Sequence, residues 1–123
     1  MDERLRAVVC DDDPVARQIA RMVLDDTGYD VVGEAAMATE AIAMAGAARP
    51  DVVVLDLSMM GMTGLEAIPL LREQLPECDI VVFSAFEALR NTAREVGVSA
   101  IVDKTSSGEL EAVLREIAAR RTP

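Results

Sequence analysis

Five short runs rich in β-branched and apolar residues alternate along the chain with stretches of helical periodicity. The runs lie at about Arg6–Cys10, Tyr29–Glu34, Val52–Leu55, Ile80–Phe83 and Ala100–Val102. Val52-Val53-Val54-Leu55 is apolar at every position, as expected of a strand covered by helices on both faces. Asp13-Pro14 reads as an N-cap and a first-turn proline. Val15, Ile19, Met22 and Val23 then share one face of a helix, and Gly28 is its stop. An alanine-rich helix is predicted over about Thr39–Ala48, closed by Arg49-Pro50. Thr63-Gly64-Leu65-Glu66 has the pattern of a capping box, and Ile68, Leu71 and Leu75 point inward from the helix it opens. Pro69, inside that helix, removes a ladder hydrogen bond and has no evident functional reason. A short helix is predicted over about Glu87–Val96, stopping at Gly97. Ser106-Ser107-Gly108-Glu109 is a second capping-box pattern, opening a last helix with Leu110, Val113, Leu114 and Ile117 on one face. Strand–crossover–strand connections are almost always right-handed. The expected architecture is therefore α/β: a five-stranded doubly wound parallel sheet with helices on both faces. The 123 residues fit a single domain, 1–123.

In such a sheet, ligands bind beyond the carboxyl ends of the strands. That edge collects Asp11 and Asp12 after the first strand, Asp56 after the third, Ser84 after the fourth and Lys104 after the fifth. Singly, each is more often a cap, a turn former or a solvated side chain. Together they supply what phosphoryl transfer onto a carboxylate needs. An aspartate is the nucleophile, Mg²⁺ held by carboxylates offsets one side of the charge, and a lysine and a hydroxyl take the rest. Lys104 is the only lysine, against eleven arginines, so this position keeps a compact ammonium where arginine is otherwise the rule.

Composition removes other chemistry. With no histidine, Ser-His and Cys-His nucleophile pairs and His-ligated metals are excluded, and with no tryptophan and 2% aromatics there is no base-stacking platform. A formal charge of −10 argues against direct nucleic-acid binding. No apolar run approaches the ~20 residues that span a bilayer, and no signal-type segment follows the charged N-terminus. Cys10 and Cys78 have no metal-binding spacing; Cys10 ends an apolar run and reads as a small core residue, and a structural disulfide is not expected in a reducing cytoplasm.

The chain resembles a receiver domain of the two-component response-regulator family over essentially its whole length. The matching segments are Val8-Val9-Cys10-Asp11-Asp12-Asp13-Pro14, Asp51-Val52-Val53-Val54-Leu55-Asp56-Leu57-Ser58-Met59, Gly64-Leu65-Glu66, Val82-Phe83-Ser84-Ala85, Gly97-Val98-Ser99-Ala100 and Lys104. The resemblance implies the flavodoxin-like strand order 2-1-3-4-5. It implies Asp56 as phosphoacceptor, with Ser84 and Lys104 binding the phosphoryl group. It implies Mg²⁺ held by the Asp12 and Asp56 carboxylates and the Ser58 carbonyl, with Asp11 acting mainly through water. The donor would be a sensor histidine kinase, bringing the histidine this chain lacks. The output would be a domain or partner protein, with homodimerisation compatible. The motif style is closest to NarL-type receivers, so 1–123 is either a complete protein or the N-terminal part of a longer regulator. As an enzyme it would catalyse only its own phosphorylation and slow dephosphorylation.

Four positions depart from the family pattern. Met60 stands where proline is common, and Thr63 where aspartate is. Thr105 follows the lysine in place of proline, and a cis bond there would cost about 3 kcal/mol. Ile101 stands where many members carry a Tyr or Phe that swings inward, implying a weaker or different switch. The span from Ser84 to Gly97 is about two residues short. Two other readings stay open. One is an atypical receiver that works unphosphorylated as an interaction module. The other is a Mg²⁺-dependent phosphohydrolase, whose usual second aspartate is Ser58 here. No glycine-rich phosphate loop follows the first strand, which disfavours a nucleotide- or flavin-binding protein.

Overall fold

The computed structural model describes residues 4–85 and 97–122. Its elements are β1 (Arg6–Cys10), α1 (Pro14–Asp26), β2 (Asp30–Ala35), α2 (Ala38–Ala48), β3 (Val52–Leu55), α3 (Gly64–Gln74), β4 (Asp79–Ser84), β5 (Ala100–Asp103) and a last helix, α4 (Ser107–Arg121). The strands pair parallel in the order β2-β1-β3-β4-β5, as expected. The helix expected at Glu87–Val96 lies outside the described residues.

Alternation along the strands divides the core into two layers. Val8, Cys10, Val53, Leu55, Ile80 and Val82 face α2 and α3. Ala7, Val9, Val52, Val54, Val81, Phe83 and Val102 face α1 and α4. Ile101 is partly buried on the α2/α3 side. Both faces of the central strands are covered, which is why their sequence is apolar without a break.

Local signals set the helix ends. Asp13 accepts from the Val15 amide at 3.0 Å and caps α1, and Gly28 ends it at φ 89°. Thr63 and Glu66 form the complete capping box of α3, with Thr63 Oγ1 accepting from the Glu66 amide at 3.2 Å. Ile68, Leu71 and Leu75 are buried as expected.

The structure shows which face of α1 packs, and it corrects one expected cap. The stripe on α1 that faces the sheet is Ala16, Ala20 and Leu24, whereas Val15 (62%), Ile19 (36%) and Met22 (58%) are exposed. Small residues let α1 sit close to the sheet, and the larger apolar side chains of the same helix are left outside. The second capping box does not form. Ser106 occupies the N-cap of α4, but its side chain makes no capping bond. Asp103 organises this turn instead, accepting from the Thr105 amide at 2.9 Å and the Thr105 hydroxyl at 2.8 Å. No described peptide bond is cis, so Lys104–Thr105 is trans.

At the opposite, amino edge of the sheet, the end of α4 is clamped to the strands. The buried Asp79 carboxylate accepts from Ser99 Oγ at 2.6 Å, Arg121 Nε at 2.7 Å and Arg120 Nη2 at 3.0 Å. Burial works to raise the Asp79 pKa, but these three donors outweigh it and the net shift is downward. A carboxylate whose folded pKa is depressed stabilises the fold above its ordinary pKa. That contribution is lost as pH falls through the folded value. Asp79→Asn is therefore expected to be less stable than wild type at pH 7. Urea titrations across pH should show the gap closing below about pH 4, as the wild-type carboxylate protonates. A gap that stays constant down to acid pH would contradict this assignment.

Candidate functional site

The register of the sheet builds the site. Cys10 pairs with Leu55 at the ends of β1 and β3, so the next residues, Asp11 and Asp56, emerge side by side. The ladder continues one step further, with the Asp56 amide donating to the Cys10 carbonyl at 3.0 Å. Ser84 and Asp103 are paired at the ends of β4 and β5. The Lys104 amide donates to the Ser84 carbonyl at 3.4 Å, which brings Lys104 onto the same edge.

All of the predicted residues lie at this edge. Asp11 and Asp56 are buried at 3% exposure and Ser84 at 0%, while Asp12 is exposed. Asp11, Asp12 and Asp56 each offer one carboxylate oxygen within 4.8 Å of the others. Lys104 Nζ is 2.9 Å from Asp11 Oδ2 and 3.4 Å from Asp56 Oδ2, bridging the two buried acids. The Ser58 amide donates to Asp56 Oδ1 at 3.2 Å, and the Asp13 amide to Asp11 Oδ1 at 2.9 Å.

Burial raises the Asp11 pKa above the usual carboxylate range. The Asp13 amide and Lys104 pull the other way and offset this only in part, while Asp56 adds to the rise. Burial also works to deprotonate Lys104, but the charges of Asp11 and Asp56 win and its pKa is raised. The site is thus a partly desolvated pocket of acids with one ammonium. A hard divalent cation with oxygen ligands suits this donor set, since three converging carboxylates cost least when such an ion shares them.

Three supports of the site were not evident from the residues alone. Gly64 opens α3 directly against the backbone that carries Asp56. A Cβ there would lie 2.2 Å from the Asp56 carbonyl oxygen and 2.7 Å from Leu57 Cα. Met59 is buried beneath the loop, with the Cys10 thiol donating to its sulfur at 3.3 Å, whereas Met60 is 81% exposed. The Cys10 thiol is pushed up to about 12, first by burial and then by Asp11 and Asp56, so it stays a protonated packing group. Arg17 donates to the Asp11 carbonyl at 2.6 Å. Gly64 stands in a recognisable motif, but a close approach between backbones leaves no mark in sequence beyond the glycine itself.

A family model, the response regulator receiver domain, matches residues 7–115. The response regulator GacA of Pseudomonas aeruginosa is 34% identical over 110 residues, covering 89% of this chain and 51% of that protein. A protein-glutamate methylesterase/protein-glutamine glutaminase of Cereibacter sphaeroides is 36% identical over 124 residues, covering 95% of this chain and 34% of the relative. The chain thus spans about half or less of the curated relatives it matches. A LuxR-family two-component response regulator from Aurantimonas sp. SI85-9A1, a solved structure, superimposes with a TM-score of 0.86 at 33% identity, covering 97% of this chain and 88% of the other. Likeness to a LuxR-family response regulator agrees with the NarL-type style of the motifs. With the five-strand order, the acidic pocket and these relatives in agreement, the chain belongs to the response regulator receiver domain family of two-component signalling.

Proposed function

We propose that this domain accepts a phosphoryl group on Asp56 from a sensor kinase phosphohistidine, with Mg²⁺ held by Asp11, Asp12, Asp56 and the Ser58 carbonyl. The observation that carries the reading is the geometry around Lys104. Its ammonium lies within 3.4 Å of one Asp56 oxygen and 2.9 Å of one Asp11 oxygen, so a cation already stands beside the nucleophile. In the transfer, an Asp56 oxygen forms the new P–O bond while the P–N bond of the donor breaks, and the leaving imidazole nitrogen takes up a proton. Mg²⁺, when bound, offsets the negative charge on the transferred oxygens. Lys104 binds another of those oxygens, and Ser84, buried at the end of β4, offers its hydroxyl to a third. Water attack on the aspartyl-phosphate then returns Asp56 and releases phosphate. With Ser58 in place of a second aspartate, that hydrolysis has no side-chain acid two residues on, and the phosphorylated state is long-lived.

The switch is a population shift biased by the new charge. Ile101, partly buried against the α2/α3 layer, takes the place of a gating aromatic, so the readout rests on packing of an aliphatic side chain. The exposed Val15, Ile19 and Met22 leave an apolar face on α1, the helix that follows Asp11–Asp13 in the chain. On this reading residues 1–123 act in the cytoplasm as one receiver unit, read by an output domain or partner protein. Both cysteines are free thiols, in keeping with that compartment.

Beryllofluoride, a phosphoryl mimic, tests the reading without a kinase. Mg²⁺ and beryllofluoride together are expected to raise the melting temperature by several degrees, and neither alone should match it. A few kcal/mol of ligand binding moves a domain of this size by about that much. No added stabilisation by the pair would sink the proposal and favour an unphosphorylated interaction module.

A further inference from the structure

Asp12 is exposed, and its carboxylate has no hydrogen-bond or ion-pair partner among the described residues. Its direction therefore depends on the backbone that carries it. Among the described residues, the peptide group between Asp11 and Asp12 is held by the Arg17 side chain, whose Nη1 donates to the Asp11 carbonyl at 2.6 Å. Arg17 is itself half-buried, with 23% of its side chain exposed, and its Nε lies 3.8 Å from Glu34 Oε1 on β2. Glu34 is also paired with Arg21, one turn further along α1. On the other side of the same residue, the Asp11 amide donates to the Ala35 carbonyl at 3.0 Å. The strand-to-helix turn bearing two of the proposed metal ligands is thus fixed to β2 twice, once by backbone and once through the Arg17 guanidinium.

We propose that Arg17 is a positioning residue for divalent-cation binding: by holding the Asp11 carbonyl it fixes the direction in which Asp12 presents its carboxylate. The inference rests on the Mg²⁺ site assigned above and adds a residue to it. The planar fork of arginine suits the role, since one nitrogen reaches the carbonyl while another faces Glu34.

The sign of the effect separates this role from a bland one. If Arg17 acted only through its charge, removing it would strengthen binding of a cation, because a like charge near the site would be gone. A positioning role predicts the opposite. Mg²⁺ affinity should be measured by calorimetry on wild type, Arg17→Met and Arg17→Lys, with unfolding of each followed in EDTA. Arg17→Met is expected to weaken Mg²⁺ binding about tenfold, the scale seen when partners of metal ligands are removed. Arg17→Lys keeps the charge but loses the fork, and should fall between Met and wild type. It also serves if the methionine variant folds poorly. Equal or tighter binding in Arg17→Met, or a lysine variant equal to wild type, overturns the proposal. A wild-type protein that takes up no Mg²⁺ would instead overturn the functional reading itself, and the role of Arg17 with it.

Discussion

Replacing Lys104 with methionine is expected to destabilise the domain by about 3 kcal/mol in EDTA at neutral pH, because two buried carboxylates lose the cation that bridges them. Lys104 Nζ is the group within 3.4 Å of both Asp11 and Asp56. Removing one member of a buried ionic cluster leaves the rest uncompensated, and that cost exceeds the net worth of the pair. Two further signs follow. Mg²⁺ should stabilise the variant more than wild type, since the ammonium no longer offsets the charge that draws the ion. The deficit should also shrink in acid. Asp11 already titrates above the usual range through burial, and loss of Lys104 raises it further. A carboxyl whose folded pKa is raised holds its proton more tightly when folded. Stability therefore falls as pH climbs from the ordinary value through the raised one, and the variant is nearest to wild type at low pH. Urea unfolding at several pH values, with and without Mg²⁺, measures all three. A variant as stable as wild type in EDTA at pH 7 would mean that the bridge contributes nothing.

Gly64→Ala should be at least as damaging, for a steric reason. The added methyl would lie 2.2 Å from the Asp56 carbonyl oxygen and 2.7 Å from Leu57 Cα, both backbone atoms that no rotamer change can move. Either α3 shifts outward or the end of β3 bends, and overpacking of this kind costs about 3 kcal/mol or more. The Gly64 amide also donates to the Leu57 carbonyl at 3.1 Å, tying the helix start to the same segment. The displaced atoms belong to Asp56, the proposed phosphoacceptor, and to its neighbour Leu57, so the variant should lose Mg²⁺ affinity as well as stability. Circular dichroism melts and a Mg²⁺ titration check this. Full stability together with wild-type Mg²⁺ binding would show that α3 can move away freely.

The sheet was legible because two physical constraints write themselves into sequence. Strands buried on both faces must be apolar throughout, as at Val52–Leu55, and parallel strands put their functional residues at one edge. That is why Asp11, Asp56, Ser84 and Lys104 could be placed together before any geometry was known. Boundaries moved by a residue: β2 starts and ends one residue later, and pairing carries β4 past its apolar core to Asp79 and Ser84. Which face of α1 is buried was not legible, for a definite reason. Periodicity finds an apolar face but does not say which apolar face packs, and here the alanines went inward while Val15, Ile19 and Met22 stayed out. Contacts between backbone and side chain, such as Arg17 on the Asp11 carbonyl, were invisible. They depend on the path of the turn and not on residue type alone. The same holds for the missing cap at Ser106, where Asp103 reaches Thr105 and organises the turn first.

The most direct measurement is the intact mass of the protein after incubation with Mg²⁺ and acetyl phosphate, run beside Asp56→Ala and beside an EDTA control. One added phosphoryl group is expected on wild type, none on Asp56→Ala and none in EDTA. Wild type without the adduct, or an adduct that persists in Asp56→Ala, would contradict it.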